Sequence, residues 1–125
     1  MRTWTEIVKP YPRLIAGKYY KVRVKNIRKI AKPRRLVIDL EFMDAPQQGR
    51  RLELFLALPI RPDSLAASFF KACHMTVMPE AKIAPRNTVN ALIAVSFEAA
   101  DDGRDFQPVG FQTITEGDHR ESIQL

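Results

Sequence analysis

The sequence predicts an all-β domain in which five short strands roll into a small barrel, with one short helix between the third and fourth. Two patterns carry that prediction. Apolar residues recur at every second position in four separate windows, the period of half-buried strands, and a hairpin-turn signal after the last of them leads into a fifth. One window departs from this rule: between the third and fourth strands, Leu65, Phe69 and Cys73 recur at a spacing of four, the period of a helix face. Size supports the reading, because 125 residues fit one core and a second would be too small to be stable. A composition 46% hydrophobic and 27% charged is that of a globular protein, not a disordered chain.

Residues 1–16 hold Pro10 and Pro12 in Lys9-Pro10-Tyr11-Pro12-Arg13, which forbids a regular helix and predicts an extended N-terminal arm. Gly17 then opens the barrel domain, predicted over 17–115. From Lys18 to Lys25, Tyr20, Val22 and Val24 alternate with Tyr19, Lys21, Arg23 and Lys25. Lys32-Pro33-Arg34-Arg35 reads as a turn, after which Leu36, Ile38, Leu40 and Phe42 face one way and Val37, Asp39 and Glu41 the other, giving a hairpin. Beyond the turn-forming residues Asp44 to Gly49, Leu52, Leu54, Leu56 and Leu58 define the inner face of a third strand, with Arg51, Glu53, Phe55 and Ala57 opposite. Asp63 or Ser64 can cap a helix running to about Met75.

Thr76 to Arg86 contains Pro79 and Pro85 and reads as a connector into a fourth strand, Asn87 to Glu98, where Val89, Ala91, Ile93, Val95 and Phe97 alternate with smaller or polar residues. Asp101-Asp102-Gly103-Arg104 signals a hairpin turn, because Asp-Gly adopts positive φ at low cost. A fifth strand follows to Ile114, which Pro108 marks as an edge, bulged or interrupted one. The polar residues 116–125 predict a flexible C-terminal tail. Three strands, a helix and two strands is the chain order of the OB-fold, a partly open five-stranded Greek-key barrel. An SH3-like barrel lacks a helix of this length at that point, and a sandwich needs about seven strands.

Lone Cys73 cannot form an internal disulfide, and the residues after Met1 lack the charged and apolar regions of an export signal, so a cytoplasmic protein is expected. The longest apolar stretches, Leu52 to Ile60 and Ala91 to Val95, fall short of the roughly 20 residues that cross a bilayer. Charge is the most informative property. Residues 1–36 carry 12 Lys and Arg against Glu6 alone, a net +11, whereas residues 37–125 carry 8 against 13 acids, a net −5. A basic half on an otherwise acidic chain points to a polyanionic partner.

The chain also resembles a family of small phage-encoded proteins regarded as OB-fold single-strand DNA-binding proteins. The resemblance lies in Ala16-Gly17-Lys18-Tyr19-Tyr20-Lys21-Val22 opening the first strand, Gly49-Arg50-Arg51-Leu52 opening the third, and the helical segment Leu65 to Met75 before the fourth. It implies a non-enzymatic protein bound to single-stranded DNA.

OB-folds bind across strands 2 and 3 and at the loops joining strands 1–2 and 4–5. On that map Lys32, Arg34 and Arg35 occupy the first loop, and with Arg28 and Lys29 just before it they form a basic tip suited to phosphates. Lys21 shares a strand face with Arg23 and Lys25, opposite or diagonal to Asp39 and Glu41; for Arg23 and Lys25, cross-strand ion pairing is the preferred reading. Tyr19 and Phe55 point outward and are candidate base-stacking platforms, with packing under the arm or a dimer contact as the alternative. Arg50 and Arg51 enter the third strand and extend a basic path toward Phe55. Trp4 is expected to plug an open barrel end in preference to clamping a strand with Lys9, Tyr11 and Arg13. Asp101, Asp102 and Asp105 repel phosphates, so a bound strand is expected to avoid the fourth-to-fifth loop.

Enzymatic classes find little support. Cys73 and His74 point apart on the predicted helix, and no second Cys or nearby His completes a zinc set; Cys73 reads as core and His74 as surface, while His119 lies in the tail. Asp101 and Asp102 alone do not make a hard-cation site, and there is no Gly-rich phosphate loop or Gly-x-Ser-x-Gly nucleophile motif. The expectation is single-stranded nucleic-acid binding without catalysis, cofactor or metal, with DNA favoured over RNA on the resemblance alone. The alternative is a protein-interaction or assembly module, homo-oligomers included. An oligosaccharide-binding barrel shares the fold but leaves the basic half unexplained.

Overall fold

The longest strand is also the organising one. In the computed structural model, which describes residues 3–99 and 106–114, β1 (Tyr19–Ala31) pairs on one side with β2 (Arg34–Phe42) and on the other with β4 (Leu92–Ala99). Strand β3 (Arg51–Ala57) extends the sheet beyond β2, and β5 (Phe106–Thr113) extends it beyond β4. The result is a single antiparallel sheet of five strands in the order β3-β2-β1-β4-β5. Among the described residues no ladder joins the outer strands β3 and β5.

Alternation on β1 breaks at Lys25, where the register to β2 shifts between Val24 and Asn26. A bulge inserts one residue and reverses which parity faces inward. Tyr20, Val22 and Val24 are therefore buried before it and Ile27 after it, so β1 runs on to Ala31 instead of ending near Lys25. These residues join Leu36, Ile38, Leu40, Phe42, Leu54, Leu56, Ile93, Val95 and Phe97 in one apolar cluster on the inner face. Val37, expected to face solvent, is completely buried on the outer face between its register partners Arg28 and Phe55.

The helix α1 (Leu65–Ala72) follows β3, as the four-residue spacing predicts, and contacts both outer strands, β5 and β3. Ser64 is its N-cap, accepting a hydrogen bond from Ala67 N at 3.1 Å. Its buried face presents Phe69 and Phe70, with rings 5.1 Å apart and edge-on, and Phe69 meets Phe111 of β5 at 5.4 Å. The Thr113 hydroxyl donates to Ala72 O at 3.2 Å, fixing the end of β5 to the end of the helix.

The helix ends at Ala72, short of Met75, because the chain reverses there. His74 has φ of 67°. His74 N donates to Lys71 O and Met75 N to Phe70 O, each at 3.0 Å, the paired closing bonds of a Schellman cap. That left-handed position favours glycine, so His74→Gly is expected to raise stability by about 0.5–1 kcal/mol, read from the urea midpoint at unchanged slope.

Strand β4 starts at Leu92, later than the alternation from Asn87 suggested. Pro85 opens a 3-10 turn, Pro85–Thr88, closed by the Thr88 hydroxyl donating to Pro85 O at 2.7 Å, and Asn90 at φ 77° redirects the chain into the ladder. The arm has no regular structure over its described residues, but its second half is anchored. Leu14 is buried, Ile15 N donates to the Tyr20 hydroxyl at 2.7 Å, and Gln47 Nε2 donates to Pro12 O at 2.6 Å. Trp4 does not plug a barrel end: it is 84% exposed, on the unanchored half of the arm. The turn 101–104 and the tail 116–125 lie outside the described residues.

Candidate nucleic-acid interface

The bulge decides where the cations go. After it, Arg28 falls on the outer face, opposite Val37, while Lys29 falls on the inner side, opposite Leu36. Arg34 and Arg35, expected in the loop, are instead the first two residues of β2, paired with Ala31 and Ile30. Successive strand residues point to opposite faces, so Arg35 joins the outer face and Arg34 the inner one. Only Lys32 and Pro33 remain at the hairpin tip.

On the outer face of β1 to β3, Lys21, Arg23, Lys25, Arg28, Arg35 and Arg51 outnumber Asp39, Glu41 and Glu53. Several are compensated. Lys25 pairs with Glu41 at 3.7 Å, and Arg28 reaches across β2 to Glu53 at 2.9 Å. Arg23 donates to Asn90 O at 2.9 Å and forms no ion pair with a carboxylate among the described residues. Lys21 and Arg51, with Lys29, Lys32 and Arg34 elsewhere, have no ion-pair partner among the described residues.

Arg35 behaves differently from all of these. Its guanidinium carbon stacks over the Phe55 ring at 4.3 Å, and its Nε is enclosed with no hydrogen-bond partner. Phe55 itself is 45% exposed. Across the ladder, Arg35 pairs with Ala57 and Val37 with Phe55, so the stack rests on a fully buried valine. This is a half-exposed ring with a guanidinium stacked over one face, a pair whose exposed surface a base can extend.

Tyr19 and Phe55 do not form one continuous floor. Tyr19 pairs with Ser96 of β4, whereas the register of Phe55 runs through Val37 to Arg28, nine residues further along β1 and about 30 Å along the strand direction. The Tyr19 hydroxyl lies so close to Gly110 of β5 that a Cβ there would approach it to 2.9 Å. Arg50 is held by the arm, donating to Gln47 Oε1 at 3.0 Å and Pro12 O at 3.3 Å. It is thus a tether for the β2–β3 connection more than a step on a basic path.

Sequence reasoning missed Arg86, which sits in the 3-10 turn on the inner side, near Lys29 and Arg34. An isolated arginine in a proline-flanked connector carries no signal of its own; only the fold brings it to the hairpin. Among the described residues no group of three or more His, Cys, Asp and Glu could hold a metal ion, and no helix is long and apolar enough to cross a membrane. Burial pushes the Cys73 thiol from its ordinary 9.0 up to about 12. The neutral thiol is favoured by folding, so this contribution to stability is complete below pH 9.0 and is lost as the pH climbs toward 12. Alkylation of native Cys73 at pH 8 is accordingly expected to be much slower than in urea; equal rates would show that the thiolate is freely formed.

No family model matches the chain, and no curated protein matches it.

Proposed function

We propose that this domain is an OB-type barrel that binds single-stranded nucleic acid, DNA in preference to RNA, without catalysing a reaction. The sheet order β3-β2-β1-β4-β5 and the helix between β3 and β4 support the barrel reading, since α1 contacts the two strands whose approach would close it. The observation that carries the functional reading is the Arg35–Phe55 stack on the β2–β3 surface, whose ring is 45% exposed. Lys21, Lys32, Arg34 and Arg51 supply uncompensated charge for phosphates, while the stack supplies an attraction that any base can satisfy. The resemblance to phage single-strand DNA-binding proteins favours DNA.

A protein-interaction module is the second reading, and the arm favours it. Trp4, Ile7 and Val8 are 84%, 82% and 95% exposed, an apolar run that a partner chain or a second copy would cover. Size-exclusion chromatography with light scattering separates the two readings. A monomer that takes up a single strand of about 16 nucleotides at low salt supports nucleic-acid binding. A stable homo-oligomer indifferent to the strand overturns it in favour of the interaction module.

A further inference from the structure

On the inner side of the hairpin, Lys29, Arg34 and Arg86 surround an open groove of about 530 Å³ whose floor is Leu36, Leu58 and Ile83. Arg28 also borders it, but its guanidinium is engaged by Glu53, and no carboxylate lines the groove. The three other cations have no ion-pair partner among the described residues. The volume is that of a small-molecule site, with an apolar floor and a few charged groups at its margin. An anion with an apolar body fits it by both size and charge.

We propose that this groove seats one unstacked base of the bound strand, with Lys29, Arg34 and Arg86 on the adjoining phosphates. The inference rests on the nucleic-acid reading and extends it to the second face of the sheet. Continuity around the β3 edge is what favours a nucleic-acid strand over an acidic peptide. Arg34 and Arg35 are neighbours facing opposite sides, and Leu58 N donates to Arg34 O at 3.3 Å at the last rung of the β2–β3 edge. Phe55 on the outer face and Leu58 in the groove are three residues apart, about 10 Å along an extended strand. A chain of alternating bases and phosphates leaving the Arg35–Phe55 stack would meet the groove within a short step, past the exposed Ala57 at the end of β3 and beside Arg34.

The test measures fluorescence anisotropy of labelled oligothymidylate, and of an abasic strand of equal length, with the native chain, Arg86→Glu and Ile83→Trp. Arg86 is exposed and its side chain has no ion-pair partner among the described residues, so its reversal should leave the melting curve unchanged. Arg86→Glu should weaken oligothymidylate binding about tenfold and flatten the salt dependence by about one phosphate contact. Ile83→Trp, which fills the groove, should weaken oligothymidylate but leave the abasic strand unaffected. If both variants bind oligothymidylate as the native chain does while Phe55→Ala does not, the groove is excluded and the outer-face reading stands. If the native chain binds no strand, both fall; Arg86-dependent binding of polyglutamate without binding of oligothymidylate would assign the groove to an acidic peptide and overturn the inference.

Discussion

Truncating Phe69 to alanine is expected to lower the stability of the domain by about 3–5 kcal/mol, measured by urea unfolding. Its ring is fully buried, packs edge-on against Phe70 and Phe111, and lies on the helix that contacts both outer strands. Deleting it removes the transfer free energy of a large ring and leaves a cavity where the helix joins β5. Because a domain of this kind has only about 5–15 kcal/mol in total, the variant approaches the limit of folding at body temperature. The effect should be global, shifting the midpoint without changing the slope. A loss below about 1 kcal/mol would mean that α1 is not integral to the core.

Phe55→Ala should do the reverse: little to stability and much to binding. Phe55 is 45% exposed, so its removal forfeits the Arg35 stack, worth about 0.5–1 kcal/mol, and part of the cover over Val37, about 1–2 kcal/mol in all and well short of the cost at Phe69. If a base stacks there, affinity for a single strand should fall by about 1–3 kcal/mol, or roughly 5- to 150-fold. Phe55→Tyr, which keeps a ring, should retain most of the binding. The paired outcome is diagnostic. A Phe55→Ala chain that unfolds easily would make Phe55 a structural residue, and one that binds normally would remove the stack from the site.

Much of the fold was legible because it is written in short-range alternation. Leu36, Ile38, Leu40 and Phe42 are all buried on the inner face, as their spacing requires, and Ser64 caps the helix. What failed was long-range or locally irregular. No period-two rule anticipates the bulge at Lys25, so the end of β1, the faces of Arg28 and Lys29 and the burial of Val37 could not be read from the chain. The turn propensity of Lys32-Pro33-Arg34-Arg35 does not fix the length of the turn; a two-residue tip pulls Arg34 and Arg35 into β2 instead of leaving them in a loop. The candidate site was legible in composition but not in arrangement. The exposure of Tyr19 and Phe55 follows from alternation, yet their separation along the sheet follows only from register. The Lys25–Glu41 pair was foreseeable from the hairpin, whereas Arg28–Glu53 spans three strands and Arg86 arrives from a distant turn.

Binding in this form depends on the cations at the hairpin tip and on the β1–β3 surface being left available to phosphates. Its most direct test is a salt titration of single-strand affinity. With about four phosphates neutralised by Lys21, Lys32, Arg34 and Arg51, the logarithm of the association constant should fall against the logarithm of salt with a slope near −3, about 50-fold weaker at 200 mM than at 50 mM. An affinity that is flat over that range, or absent at the lowest salt, would show that these side chains meet no polyanion and that the domain serves another partner.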